Sequence, residues 1–118
     1  MITLLIIFLA IHLIADFWFR SDIASRLKST HNSWLAFHCL TYSVVFAIML
    51  YSVSFFVSVG HSILFIALSL FLTHFVIDYV TSRGTSYYWK KGNEHMFFFI
   101  IGIDQLLHNL VIIYLVTY

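Results

Sequence analysis

The sequence predicts an all-α integral membrane protein, a four-helix bundle forming a single transmembrane domain over residues 1–118. Three observations carry this. Of the 118 residues 62% are hydrophobic and 9% charged, with a mean hydropathy of +0.97, whereas a water-soluble domain carries about a quarter charged residues. The apolar residues fall into four runs, at about 2–19, 34–58, 61–80 and 96–117, each near the ~20 residues that cross ~30 Å of hydrocarbon at 1.5 Å per residue. Lipid offers no partner for a backbone N–H or C=O, so runs of this length must satisfy those groups internally, as helices. The 13 Phe, 7 Tyr and 3 Trp suit lipid-facing and interfacial positions, and without proline nothing obliges a helix to kink.

The first run is apolar from Met1 and has neither a basic leader nor a small-residue cleavage site, so it reads as a retained helix rather than a signal peptide. After it, residues 20–33 hold Arg20, Arg26 and Lys28. The turn between the second and third runs, near Ser58-Val59-Gly60, carries no charge, and residues 81–95 hold Arg83, Lys90 and Lys91. All six basic residues thus follow helices one and three, and the positive-inside rule expects both loops in the cytoplasm with both termini outside. Topology alone accounts for these cations. Helices one and three would run the same way and end alike, His12-x3-Asp16-Phe17 and His74-x3-Asp78-Tyr79, a weak repeat that predicts two parallel helical hairpins. A net charge of +1 provides no broad basic field, so nucleic acid is not an expected partner. The single Cys39 permits no internal disulfide and reads as a small buried apolar residue.

The chemistry lies in the spans. Asp22 and Glu94 belong to loops, but Asp16, Asp78 and Asp104 lie within or at the ends of apolar runs, and each has a histidine four residues away: His12, His74 and His108. For histidines this sparse, three such coincidences would arise about once in a thousand. A spacing of four puts both side chains on one helix face, where they can converge on a point between helices. A divalent metal ion is one such point, with zinc the first candidate and manganese or iron also suited to imidazole nitrogen and carboxylate oxygen. His12, Asp16, His74, Asp78 and His108 are the expected ligands, with His38 supplying one from the second helix and Asp104 left to accept a proton. A carboxylate deep in a span costs on the order of 2.5–3.5 kcal/mol, which a cation offsets. Two other readings stand beside the metal: interhelical hydrogen bonds that hold the bundle together, and a metal-free proton relay. His31, His61 and His95 fall at expected interfaces, where an imidazole is ordinary, and Gln105 is either a support for a ligand or an interhelical amide.

The order His12-x3-Asp16-Phe17, Lys28, His38, His74-x3-Asp78-Tyr79 and Asp104-Gln105-Leu-Leu-His108 resembles the small bacterial and phage membrane proteins grouped as domain of unknown function 3307, over nearly the whole chain. The sequence departs from that pattern where Arg20 stands near a usual Gln and Val80-Thr81 near a usual basic residue. A more distant similarity is to membrane-bound metal-dependent hydrolases built on intramembrane His/Asp clusters. The resemblance implies the same motif and fold, and a bacterial inner membrane as the location.

Three functions follow as expectations. The first is a metal-dependent hydrolase, the ion lowering the pKa of a water while a carboxylate takes its proton. Its site would open at headgroup level under Arg26 and Lys28, toward membrane lipid and an amphiphilic anionic substrate such as a phospholipid or prenyl phosphate. The second is metal-ion or proton transport, for which four helices would need a homo-oligomer. The third is a non-catalytic membrane scaffold.

Overall fold

The computed structural model of the protein describes residues 1–18 and 22–118. Phe19, at the end of the first expected helix, and Arg20 lie outside the described residues. The described chain is helical over most of each expected span: α1 (Ile2–Leu13), running into a π-helical turn (Ile14–Trp18), a short α2 (Asp22–Leu27), then α3 (Asn32–Val53), α4 (Ile63–Lys90) and α5 (Glu94–Thr117).

Residue pairs across the helices set the topology. Phe8 meets Phe46 and His12 meets Tyr42, so α3 runs antiparallel to α1. Thr81 meets Asp104 while Asp78 meets His108, so α5 runs antiparallel to α4. α1 packs on α3 and α5, and α4 packs on the same two. α1 and α4 therefore face each other across the bundle's diagonal, running the same way, as the two-hairpin repeat predicts. The second helices complete it: His38 on α3 faces Asp16 at 3.3 Å, and His108 on α5 faces Asp78 at 3.1 Å.

α3, α4 and α5 are long and apolar enough to cross a membrane, whereas Ile2–Trp18 is a shorter apolar helix. Outward stripes such as Leu64, Leu68, Leu72, Val76 and Val80 on α4 are exposed along one helix face, four residues apart as a lipid-facing row requires. Inside, Phe8, Phe46, Leu50, Ile66, Leu70, Ile112 and Leu115 are buried in one apolar cluster. Phe8 and Phe46 meet edge to face with centroids 5.5 Å apart.

Two helix boundaries correct the expectation. α3 ends at Val53, not near residue 58, where the Ser52 and Ser54 hydroxyls donate to the carbonyls of Ile48 and Tyr51, an alternative that serine offers the backbone. α4 does not stop at Val80 but continues to Lys90 through nine polar and aromatic residues and Gly84. Gly84 lets that extension approach α5, since a Cβ there would lie 3.1 Å from Ile100 Cδ1. The helix ends at Gly92, whose φ of +70° takes the left-handed conformation that glycine adopts freely. Side-chain caps then open the next helices: Ser62 accepts from the Phe65 N–H at the start of α4, and Asn93 from the Met96 N–H at the start of α5.

Candidate metal centre

Every long helix sends a titratable side chain to one place. Asp16 comes from the π turn, His38 from α3, His74 and Asp78 from α4, and His108 from α5, all of them buried. His38 Nε2 lies 3.2 Å from His74 Nε2, 3.3 Å from Asp16 Oδ1 and 3.3 Å from Asp78 Oδ2. His74 Nε2 lies 3.3 Å from Asp78 Oδ2 and 3.7 Å from Asp16 Oδ1. The other oxygen of Asp78 faces His108 Nε2 at 3.1 Å, and that nitrogen is 3.5 Å from Asp104 Oδ1. Asp78 is thus shared, one oxygen toward His38 and His74, the other toward His108.

Two groups of ligand atoms could each hold an ion, Asp16-His38-His74 and His74-Asp78-His108, the atoms within a group lying within 4.8 Å of one another. Ligands at ~2.0–2.1 Å from a tetrahedral ion are about 3.3 Å apart, and the separations in the first group, 3.2 to 3.7 Å, bracket that edge. His74 Nδ1 is buried without a hydrogen-bond partner, so the ring lacks the outer anchor that usually orients a metal-bound imidazole. That makes His74 the least supported of these ligands.

His12 does not join either group. Its Nδ1 is 2.7 Å from the Tyr42 hydroxyl and its Nε2 3.2 Å from Gln105 Oε1. Since the Gln105 carbonyl only accepts, His12 Nε2–H donates to it and Nδ1 accepts from Tyr42. The Gln105 amide N–H groups point the other way, to Asp16 Oδ2 at 3.3 Å and Asp104 Oδ2 at 3.1 Å. The chain Tyr42, His12, Gln105 therefore has one direction and ends by bracing two carboxylates. His12 and Asp16 both stay on the buried side of the first helix, on either side of Ile14 where its π turn begins, and Gln105 bonds them both. Asp104 adjoins the centre rather than lying inside it. Its Oδ1 accepts from Thr81 Oγ1 at 2.5 Å, and it is the most open of the three span carboxylates, 15% exposed against 9% for Asp16 and 2% for Asp78.

Lys28, expected to mark topology and to lie over the opening of the site, reaches into the centre itself. Its Nζ lies 2.8 Å from Asp78 Oδ2. Burial opposes its charge, but the Asp78 carboxylate, with Asp16 and Asp104 beyond it, holds the ammonium's pKa above the usual lysine range. Tyr42 was missed as well, although its place four residues after His38 puts it on the same face. Lys28 follows α2, which packs on α3, and no periodicity in the sequence signals where that short helix folds back. The remaining histidines stay outside: His31 bonds the Thr30 hydroxyl, His61 stacks on Phe65 and His95 is exposed. Cys39 is buried, as its reading as an apolar residue requires.

With neutral imidazoles, three carboxylates and one ammonium leave the centre with two surplus negative charges in a place where uncompensated charge is expensive. A family model described as "Protein of unknown function (DUF3307)" matches residues 4–118. No curated protein and no solved structure matches the chain.

Proposed function

The chain belongs to the DUF3307 family of proteins of unknown function, and from that and the geometry of the centre we propose a multi-pass membrane protein that binds a divalent metal ion and uses it to hydrolyse a phosphoester of a lipid-like substrate. One observation carries the proposal: side chains from the first helix and from α3, α4 and α5 meet at ligand-like separations of 3.1 to 3.7 Å. Asp16, His38, Asp78 and His108 are the proposed ligands together with His74, which both groups share; zinc is the first candidate, with manganese and iron the alternatives. We assign the basic end, with Arg83, Lys90 and Lys91 and the exposed Trp18 and Trp89, to the cytoplasmic face of a bacterial inner membrane, which leaves both termini outside.

A bound ion supplies Lewis acidity and a more acidic water. The residues divide the remaining work. Asp104, braced by Thr81 and Gln105, accepts a proton from the water as its oxygen bonds to phosphorus. The P–O bond to the leaving alcohol breaks, and Asp104 returns the proton to that oxygen, so the step is balanced by water alone.

Purified protein in detergent tests this by metal content from mass spectrometry, for wild type, Asp78→Asn and His108→Ala. The expected result is metal in the wild type, with the loss in Asp78→Asn exceeding that in His108→Ala. Equal content near zero in all three would overturn the centre. Asp104→Asn should keep the metal and lose turnover of a phosphomonoester; full activity in that variant removes the role given to Asp104. The Lys28–Asp78 pair favours one second reading, a metal-free core held by internal ion pairing, which is what a metal-free wild type would indicate.

A further inference from the structure

A cavity of about 240 Å³ adjoins the centre, walled by Asp16, Lys28 and His38 on one side and by Ser82, Asp104 and Gln105 on another. The hydrogen-bond capacity of its wall is largely committed. Thr81 donates to the Ile77 carbonyl and to Asp104, Thr85 donates to the Ser82 carbonyl, and both N–H groups of Gln105 go to carboxylates. Two donors remain. Ser82 lines the cavity and is 4% exposed, and its buried hydroxyl has no partner, an arrangement that costs stability and that a turn of the side chain toward a ligand in the cavity would relieve. The Lys28 ammonium has three N–H groups, and its recorded hydrogen bond is the one to Asp78.

What would satisfy both is a ligand rich in acceptor oxygens. A carboxylate has two, which the metal alone can occupy. A phosphate group spreads its oxygens tetrahedrally, so that one can face the ion while others take Ser82 and Lys28. Bare carboxylates in the wall would repel such an anion, so its entry depends on the ion. The rest of the wall is apolar, Phe17, Phe97 and Ile101, and Phe17 is 44% exposed on the outer surface of the bundle, which gives an alkyl chain a path outward.

Resting on the metal centre proposed above, we infer that this cavity binds the phosphate of a single-chain phosphate monoester, with Ser82 and Lys28 donating to its oxygens and the chain leaving past Phe17 and Phe97. Inorganic phosphate shares the head chemistry and lacks the tail.

The test uses the full chain in detergent, loaded with zinc or stripped by a chelator, with metal content measured on every sample before ligand is added. Dodecyl phosphate, inorganic phosphate and dodecanol are titrated by calorimetry. Zinc-loaded protein should bind dodecyl phosphate, with inorganic phosphate at least about tenfold weaker and dodecanol showing no heat of binding, and stripping the zinc should abolish the signal. Ser82→Ala, with unchanged zinc content and circular dichroism as evidence of folding, should weaken dodecyl phosphate about tenfold, the size of one hydrogen bond to a charged group. Lys28→Met should weaken it at least as much. Equal binding by wild type and Ser82→Ala, or undiminished binding after stripping, overturns the inference. Inorganic phosphate binding as tightly as dodecyl phosphate overturns the amphiphile. Zinc bound without any response to dodecyl phosphate sinks this inference alone, while wild type that takes up no zinc sinks the centre with it.

Discussion

Toward one end of the bundle, α1, α3, α4 and α5 enclose Phe8, Phe46, Leu50, Ile66 and Ile112; a turn or two further along, the same four helices enclose Asp16, His38, His74, Asp78 and His108. Both interiors are formed by the same four helices, but the second adjoins a cavity. In the first, side chains interlock by shape, the means by which helices associate where lipid is as apolar as leucine. In the second, no shape can compensate for two buried carboxylates, and the pairing of charge does so.

That contrast can be broken most forcefully at Phe46, which is fully buried against Phe8 and Tyr42. Phe46→Ala should lower stability by about 3–5 kcal/mol, read as a fall in the detergent denaturation midpoint, while metal per folded molecule stays the same. Loss of metal in proportion would show that the two ends are not separable. Next, Asp78→Asn should weaken metal binding by ~100-fold or more, at the top of the range for removing even a supporting residue, with a smaller change in midpoint than Phe46→Ala. Gln105→Leu is milder. It frees His12 and removes the brace from Asp16 and Asp104, and a drop of ~10-fold in metal affinity is expected; affinity equal to wild type would reduce the amide to a bystander. The smallest effect concerns Lys28. Because its pKa is raised by Asp78 against burial, the pair's contribution to stability is complete below the ordinary lysine value and fades as pH climbs through the higher folded one. A midpoint of the stripped protein that is flat across neutral pH and falls only in the alkaline range is the expected profile, and Lys28→Met should lack that fall.

The polar end was legible in the sequence wherever the helix stayed regular. His74 with Asp78 and His108 with Asp104 lie on one face because their segments are α-helical, and a spacing of four has its usual meaning there. The same spacing brings His12 and Asp16 both inward, but their partners were not legible: His12 bonds Tyr42 and Gln105, and Asp16 faces His38. Hydropathy located α4 but stopped at Val80, because it registers contact with lipid, while the helix itself continues on hydrogen bonds and on the close approach at Gly84. Lys28 reads as an orientation signal until α2 folds it beneath the bundle. The cavity and the unpartnered Ser82 were beyond reach for a similar reason: a hydroxyl between Thr81 and Arg83 looks like loop polarity when the segment is not known to be helical.

The π turn makes one position in this chain unusually sensitive to length. Excising a single residue between Ile14 and Trp18 would let the backbone wind on as ordinary α-helix, and Asp16 would swing away from His38 while no acid or imidazole had been altered. A three-nucleotide deletion there should therefore dismantle the buried centre, and putting the codon back should rebuild it.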